Sequence, residues 1–162
     1  PIVDINVIAI GFEIRLLIGS ATSGIPLTIW IIAIVFLLAL FIALAKRRDD
    51  VLMYINTSQI VRKNIDGYNL EFINASMVIT AGVVLVSYIM YTISPEIISK
   101  FKTDNLYLTS IFVVMGIMRY MQITFVYQKS GSPTKVLLSD KFLQLVIFGW
   151  VVSFIVILYV RG

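Results

Sequence analysis

Twenty consecutive residues, Pro26 to Ala45, carry no charge. At about 1.5 Å per helical residue such a run extends ~30 Å, the thickness of a bilayer's hydrocarbon core. A second run, Phe142 to Val160, is uncharged over nineteen residues. Lipid offers backbone amides no partner, so a spanning segment of this kind has to be helical. The rest of the chain agrees: AVILMFWYC residues make up 59%, charged residues 14%, and mean hydropathy is +0.97, which excludes an ordinary soluble domain.

Between and beside these runs, three more apolar stretches predict helices. The first, Ile2 to Ala21, carries Asp4, Glu13 and Arg15 and ends in a Thr22-Ser-Gly-Ile-Pro26 turn. The third span opens with Glu71, a favourable charge for a helix N-terminus, and stops at Pro95. The fourth contains Arg119 and runs into the turn-forming Gln128-Lys-Ser-Gly-Ser-Pro133, after which Ser139 or Asp140 is placed to cap the last helix. The expected architecture is an all-α, polytopic membrane helix bundle in a single membrane domain, with spans at 2–21, 26–45, 69–94, 105–127 and 142–160 and a polar loop at 46–68. The chain starts at Pro1 without a signal-peptide pattern, and it reads as a piece of a longer protein.

Loop charges are lopsided. One face collects Lys46, Arg47, Arg48, Arg62, Lys63, Lys129, Lys135 and Lys141; the other has Lys100, Lys102 and Arg161. The positive-inside rule makes the first face cytoplasmic, in a multi-pass protein of the cell's inner (plasma) membrane. The 46–68 loop and the Gly131–Lys141 loop then share one face and can line one pocket.

Cysteine and histidine are both absent, so thiol chemistry and imidazole catalysis are excluded and Asp, Glu, Lys, Arg and Tyr remain. Ionisable residues inside a bilayer cost at least about 2.5 kcal/mol and need partners or a wet cavity, which marks Glu13, Arg15 and Arg119. Asp4, Gly11 and Arg15 lie on one helical stripe, with Asp4 and Arg15 too far apart to pair; Glu13 falls opposite and is expected to pair with another helix. The 46–68 segment holds five of the thirteen Lys/Arg and three of the nine Asp/Glu residues. Lys46 and Arg47 suit phosphate oxygens, and Asp49 or Asp50 suits Mg²⁺, which is usually held by one or two carboxylates plus substrate phosphates. A topology-setting basic loop is the plain alternative.

Taken in order, Gly11–Gly19 (GFEIRLLIG), Lys46–Asp50 (KRRDD), Arg62–Tyr68 (RKNIDGY), Arg119-Tyr120 and Gly131–Asp140 (GSPTKVLLSD) resemble the C-terminal half of the UbiA prenyltransferase superfamily, within it the branch of decaprenyl-phosphate phosphoribosyltransferases. The resemblance implies a nine-span helical fold, of which these are spans five to nine, with a lipid-open cavity and two acidic motifs facing the cytoplasm. It implies Mg²⁺-dependent transfer of 5-phosphoribose from phosphoribosyl pyrophosphate to a polyprenyl phosphate, with release of diphosphate. Position by position, it makes Lys46 and Arg47 phosphate binders, Asp50 the acid of the second motif beside Asp49, Arg62 and Tyr68 a downstream polar pair, and Arg15 and Arg119 further phosphate-binding candidates.

There are departures from the branch's pattern. Asp50 stands where it usually has Glu, Glu13 stands at an apolar position, and the first aspartate-rich motif is not in these residues. Without that motif these residues alone are expected to be inactive. Two other functions remain open: a prenyltransferase that uses a polyprenyl diphosphate to alkylate an aromatic or other small acceptor, with Tyr54, Tyr68 and Tyr120 as contributors, and a non-catalytic lipid-binding bundle. Expected partners are the membrane, the lipid, the sugar donor or small acceptor, and optionally a second copy of the chain; nothing suggests nucleic acid.

Overall fold

The computed structural model describes residues 1–58, 67–129 and 132–160. Its elements are α1 (Ile2–Ser23), α2 (Ile29–Thr57), α3 (Leu70–Ile93), α4 (Pro95–Phe101), a 3-10 turn (Leu106–Thr109), α5 (Ser110–Phe125), α6 (Pro133–Ser139) and α7 (Lys141–Tyr159), with no strand among the described residues. Four helical segments are long and apolar enough to cross a membrane: Ile29–Thr57, Leu70–Ile93, Leu106–Phe125 and Lys141–Tyr159. The first helix, expected as a fifth span, is not among them.

Local chemistry sets the helix ends. Thr28 caps α2 by accepting from Ile31 N at 3.2 Å, and Asn69 caps α3 by accepting from Phe72 N at 2.7 Å. Asp140, rather than Ser139, caps α7, accepting from Leu143 N at 2.8 Å. Gly24 closes α1 at φ 69°, a left-handed conformation that suits glycine. Pro95 ends the third span as expected, but it also starts α4, so the connection to the fourth span is helical over Pro95–Phe101.

The larger correction concerns the 46–68 loop. Residues 46–57 are not a loop; they continue α2 to Thr57. No glycine or proline interrupts Lys46 to Thr57, and 29 residues extend roughly 44 Å, beyond a hydrocarbon core of ~30 Å. The charged turn therefore rides on a rigid helix at headgroup level.

The packed centre joins α2, α3 and α5 through Leu44, Ile73, Met77, Phe41 and Tyr120, with α6 and α7 adding Val136 and Leu143. The outside is apolar as well: Ile79, Val86, Leu145 and Phe148 are all at least 60% exposed. Such an inside-out distribution fits lipid as the solvent.

Candidate functional site: the charged end of the bundle

Arg47 and Arg48 follow each other on α2 and so point about 100° apart. Arg47 faces α1. Its Nε donates to Asp4 Oδ2 at 2.8 Å, its Nη2 meets the same oxygen at 2.7 Å, and its Nη1 reaches Asp50 Oδ2 at 3.1 Å. The Tyr68 hydroxyl, arriving from the start of α3, donates to Asp4 Oδ1 at 2.5 Å. Burial first, and the Asp4 carboxylate second, push this phenol well above its ordinary range, so it remains a protonated donor. One carboxylate of α1 thus fixes two of the residues expected to bind phosphate.

Arg48 faces the other way and is 4% exposed. Its Nε donates to Asn74 Oδ1 at 2.9 Å, its Nη1 donates to the Thr124 carbonyl at 2.7 Å, and the guanidinium sits 5.3 Å from the centre of the Phe125 ring. A cation on the last turn of a helix satisfies a carbonyl left open there and suits the helix dipole. Arg48 therefore locks the charged turn of α2 to α3 and to the end of α5.

That end of α5 carries Arg119. Its Nη2 donates to Asp140 Oδ2 at 2.8 Å, its Nη1 to Gln122 Oε1 at 2.6 Å, and the rings of Tyr127 and Phe142 each stand 5.7 Å away. The guanidinium beside Asp140 holds that carboxyl below its usual range.

Of the residues expected at the site, Lys46, Arg47, Asp49, Asp50, Tyr68 and Arg119 lie at this one end of the bundle. Arg62 lies outside the described residues. Arg15 is not brought to the cluster: it stacks over Phe12 at 5.5 Å, eleven residues and so ~16 Å along α1 from Asp4. Glu13 was expected to pair with a charge on another helix; instead both carboxylate oxygens are buried without a hydrogen-bond partner among the described residues. Asp50 is engaged by Arg47, and among the described residues no three Asp, Glu, His or Cys side chains converge as a metal site. A magnesium site made of one or two carboxylates plus substrate phosphates needs no such cluster, and Asp49 and Asp50 are the carboxylates that α2 brings to this end.

Three residues were missed as site members. Asp4 emerges as the anchor of Arg47 and Tyr68, Arg48 as the clamp, and Asn74 as its acceptor. An asparagine one turn into a strongly apolar helix was the available signal.

Next to this end lies an apolar cavity of about 370 Å³ walled by α2, α3, α5, α6 and α7, with Phe41, Phe112, Tyr120 and Trp150 among its lining. A polar pocket of about 410 Å³ follows it, lined by Arg119, Tyr127, Lys129, Ser139 and Asp140. A charged rim over an apolar cavity suits an amphiphile.

No family model matches the chain. It is similar to curated proteins named decaprenyl-phosphate phosphoribosyltransferase: 26% identical to that of Corynebacterium glutamicum over 99% of this chain and 48% of the relative. The Mycolicibacterium smegmatis protein is 24% identical over 93% of this chain and 49% of the relative, and that of Mycobacterium tuberculosis 22% over 94% and 49%. The chain spans about half the length of the curated relatives it matches. The resemblance to the decaprenyl-phosphate phosphoribosyltransferase branch of the UbiA superfamily, carried by five short motifs, thus extends over almost the whole chain, consistent with the C-terminal half of such a protein.

Proposed function

We propose that this chain is part of a membrane transferase that moves 5-phosphoribose from phosphoribosyl pyrophosphate to a polyprenyl phosphate. The observation that carries the reading is the gathering of Arg47, Arg48 and Arg119 at one end of a bundle that also holds an apolar cavity, in a chain similar over 99% of its length to a named phosphoribosyltransferase. A phosphate oxygen of the lipid attacks the anomeric carbon, the bond from that carbon to diphosphate breaks, and diphosphate leaves with the bonding electrons. Cationic donors set in place beforehand stabilise that departing charge. Lys46, exposed one position before Arg47, and Arg62 are the phosphate contacts we assign here, while the Tyr68 hydroxyl stays on Asp4 and steadies the turn beside them.

Magnesium enters this reading through the resemblance. Asp49 and Asp50 are the carboxylates of this chain beside the basic cluster, and a site completed by substrate phosphates would take a further acidic donor from outside these residues. The charged end faces the cytoplasm of the inner membrane by the positive-inside rule.

The test uses the full-length protein in detergent with radiolabelled phosphoribosyl pyrophosphate and polyprenyl phosphate, with and without Mg²⁺. Mg²⁺-dependent, lipid-linked label is the expected result, and these 162 residues expressed alone are expected to give none. The aromatic lining of the cavity favours one alternative, transfer of a prenyl group from a polyprenyl diphosphate to a small acceptor. Product from that pair and none from the first would replace the proposal.

A further inference from the structure

The two pockets beside α5 follow each other along one helical stripe. Phe112 and Gly116 line the apolar cavity, Arg119 and Tyr120 stand at the boundary, and Ile123 and Tyr127 line the polar pocket. Spacings of three or four residues keep Phe112 to Ile123 on one face of α5, extending ~16 Å, and Tyr127 follows just past the helix end. Opposite them, α6 divides its side chains in the same way, with Pro133 and Leu137 on the cavity and Val136 and Ser139 on the polar pocket.

At the polar end, Asp140 and Gln122 hold the Arg119 guanidinium while Tyr127 and Phe142 flank it, so its orientation is set. These bonds engage Nε, Nη1 and Nη2, and a guanidinium has five N–H groups, more than Asp140 and Gln122 take up. Exposed Lys129 lines the same pocket. Asp140 is the carboxylate lining it, so the local balance is positive. At the boundary, the Tyr120 hydroxyl is buried without a hydrogen-bond partner among the described residues, an arrangement uncommon unless a ligand or water supplies one. The cavity volume falls in the usual range of roughly 300–1,000 Å³ for bound small molecules.

We propose that the α5–α6 face is one elongated site for a single-chain lipid with an anionic head. The chain lies in the apolar cavity against Gly116 and Leu137, and the head rests on Arg119 and Lys129. This rests on the polyprenyl phosphate reading for the ligand's chemistry, and it assigns the lipid phosphate to the partly exposed Arg119 and to Lys129 rather than to Arg47, which is buried between Asp4 and Asp50.

The experiment titrates the full-length protein in detergent with radiolabelled farnesyl phosphate, and with farnesol and inorganic phosphate as competitors. A Cβ at Gly116 meets nothing nearer than Val146 Cγ1 at 3.6 Å, so Gly116→Phe projects its ring into the cavity from a tolerant backbone. It is expected to weaken farnesyl phosphate and farnesol alike by about tenfold or more. Leu137→Trp obstructs the cavity from the partly exposed α6 and replaces that variant should it fail to fold. Lys129→Glu is expected to weaken farnesyl phosphate by about tenfold and leave farnesol unchanged. Unchanged farnesyl phosphate binding in the folded cavity variants overturns the chain placement. Unchanged binding in Lys129→Glu, or inorganic phosphate competing as strongly as farnesyl phosphate, overturns the head placement. Phosphoribosyl transfer by the wild type alongside unaffected variants would sink the site and keep the function; farnesyl phosphate binding with the expected pattern and no transfer would do the reverse.

Discussion

Toward the far end of the bundle, the Tyr88 hydroxyl lies 2.7 Å from Thr109 Oγ1 and accepts from Trp150 Nε1 at 2.8 Å, joining α3, the 3-10 turn and α7 through neutral groups. At the other end, α1, α2, α3 and α5 are joined by Asp4–Arg47–Asp50, by Tyr68 on Asp4, and by Arg48 on Asn74 and Thr124. Both arrangements satisfy buried polar atoms, but burying ions costs far more than burying hydroxyls. A bundle that needed only to stand could have used the neutral device twice. The charged end is therefore the one to which we assign the proposed chemistry, while the neutral end joins its helices through uncharged groups.

Substitutions that strip one partner from a buried pair should separate the ends most clearly. Arg47→Ala leaves Asp4 and Asp50 without their shared cation, and we expect a loss of about 3–5 kcal/mol in the unfolding free energy of the full-length protein, read by denaturant titration in detergent. Arg48→Ala strands the Thr124 carbonyl and the Asn74 side chain. Its cost should be about 2–3 kcal/mol, with Arg48→Lys recovering part of it through the remaining charge at the end of α5. At the neutral end, Tyr88→Phe removes a hydroxyl and should cost about 1–2 kcal/mol while leaving phosphoribosyl transfer unchanged. A transfer defect in Tyr88→Phe that exceeds its loss of folded protein would break the distinction between the ends.

Acid titration gives the smallest effect. The Asp140 carboxyl titrates lower when folded, so the Arg119 pair contributes fully above the ordinary aspartate value near 3.9 and is lost as pH falls through the depressed one. Stability should be flat from about pH 5 to 8 as far as this pair is concerned, with a limb only below about pH 4 that Asp140→Asn diminishes. An Asp140-dependent limb near pH 6 would mean that Arg119 does not hold this carboxylate in the membrane.

Much of the fold could be read from the residues because bilayer thickness and helix rise are fixed lengths; the uncharged run at Pro26–Ala45 needed nothing more. The end of α2 could not be read in that way. Charge density suggested a loop at 46–57, whereas the lack of any glycine or proline there, a weaker signal, marked the helix that the structure has. Once 46–57 is a helix, Arg47 and Arg48 must diverge, and their different partners follow. What sequence spacing could not supply is the pairing across helices: Asp4 with Arg47 is separated by 43 positions and Arg48 with Thr124 by 76. Asp140 was legible as a cap but not as the partner of Arg119, because capping is local and pairing is not.

Lys46 offers the most direct test, because it is exposed beside the buried Arg47 and its removal should leave the ion pairs intact. In full-length protein, transfer of radiolabelled phosphoribose to polyprenyl phosphate is compared between wild type and Lys46→Ala, with unfolding midpoints measured on the same samples. The account predicts transfer by the wild type, a fall of about tenfold or more in the variant, and matching midpoints. Equal transfer in both proteins would contradict a phosphate role for the exposed cation of the charged end, and no transfer in either would contradict the function itself.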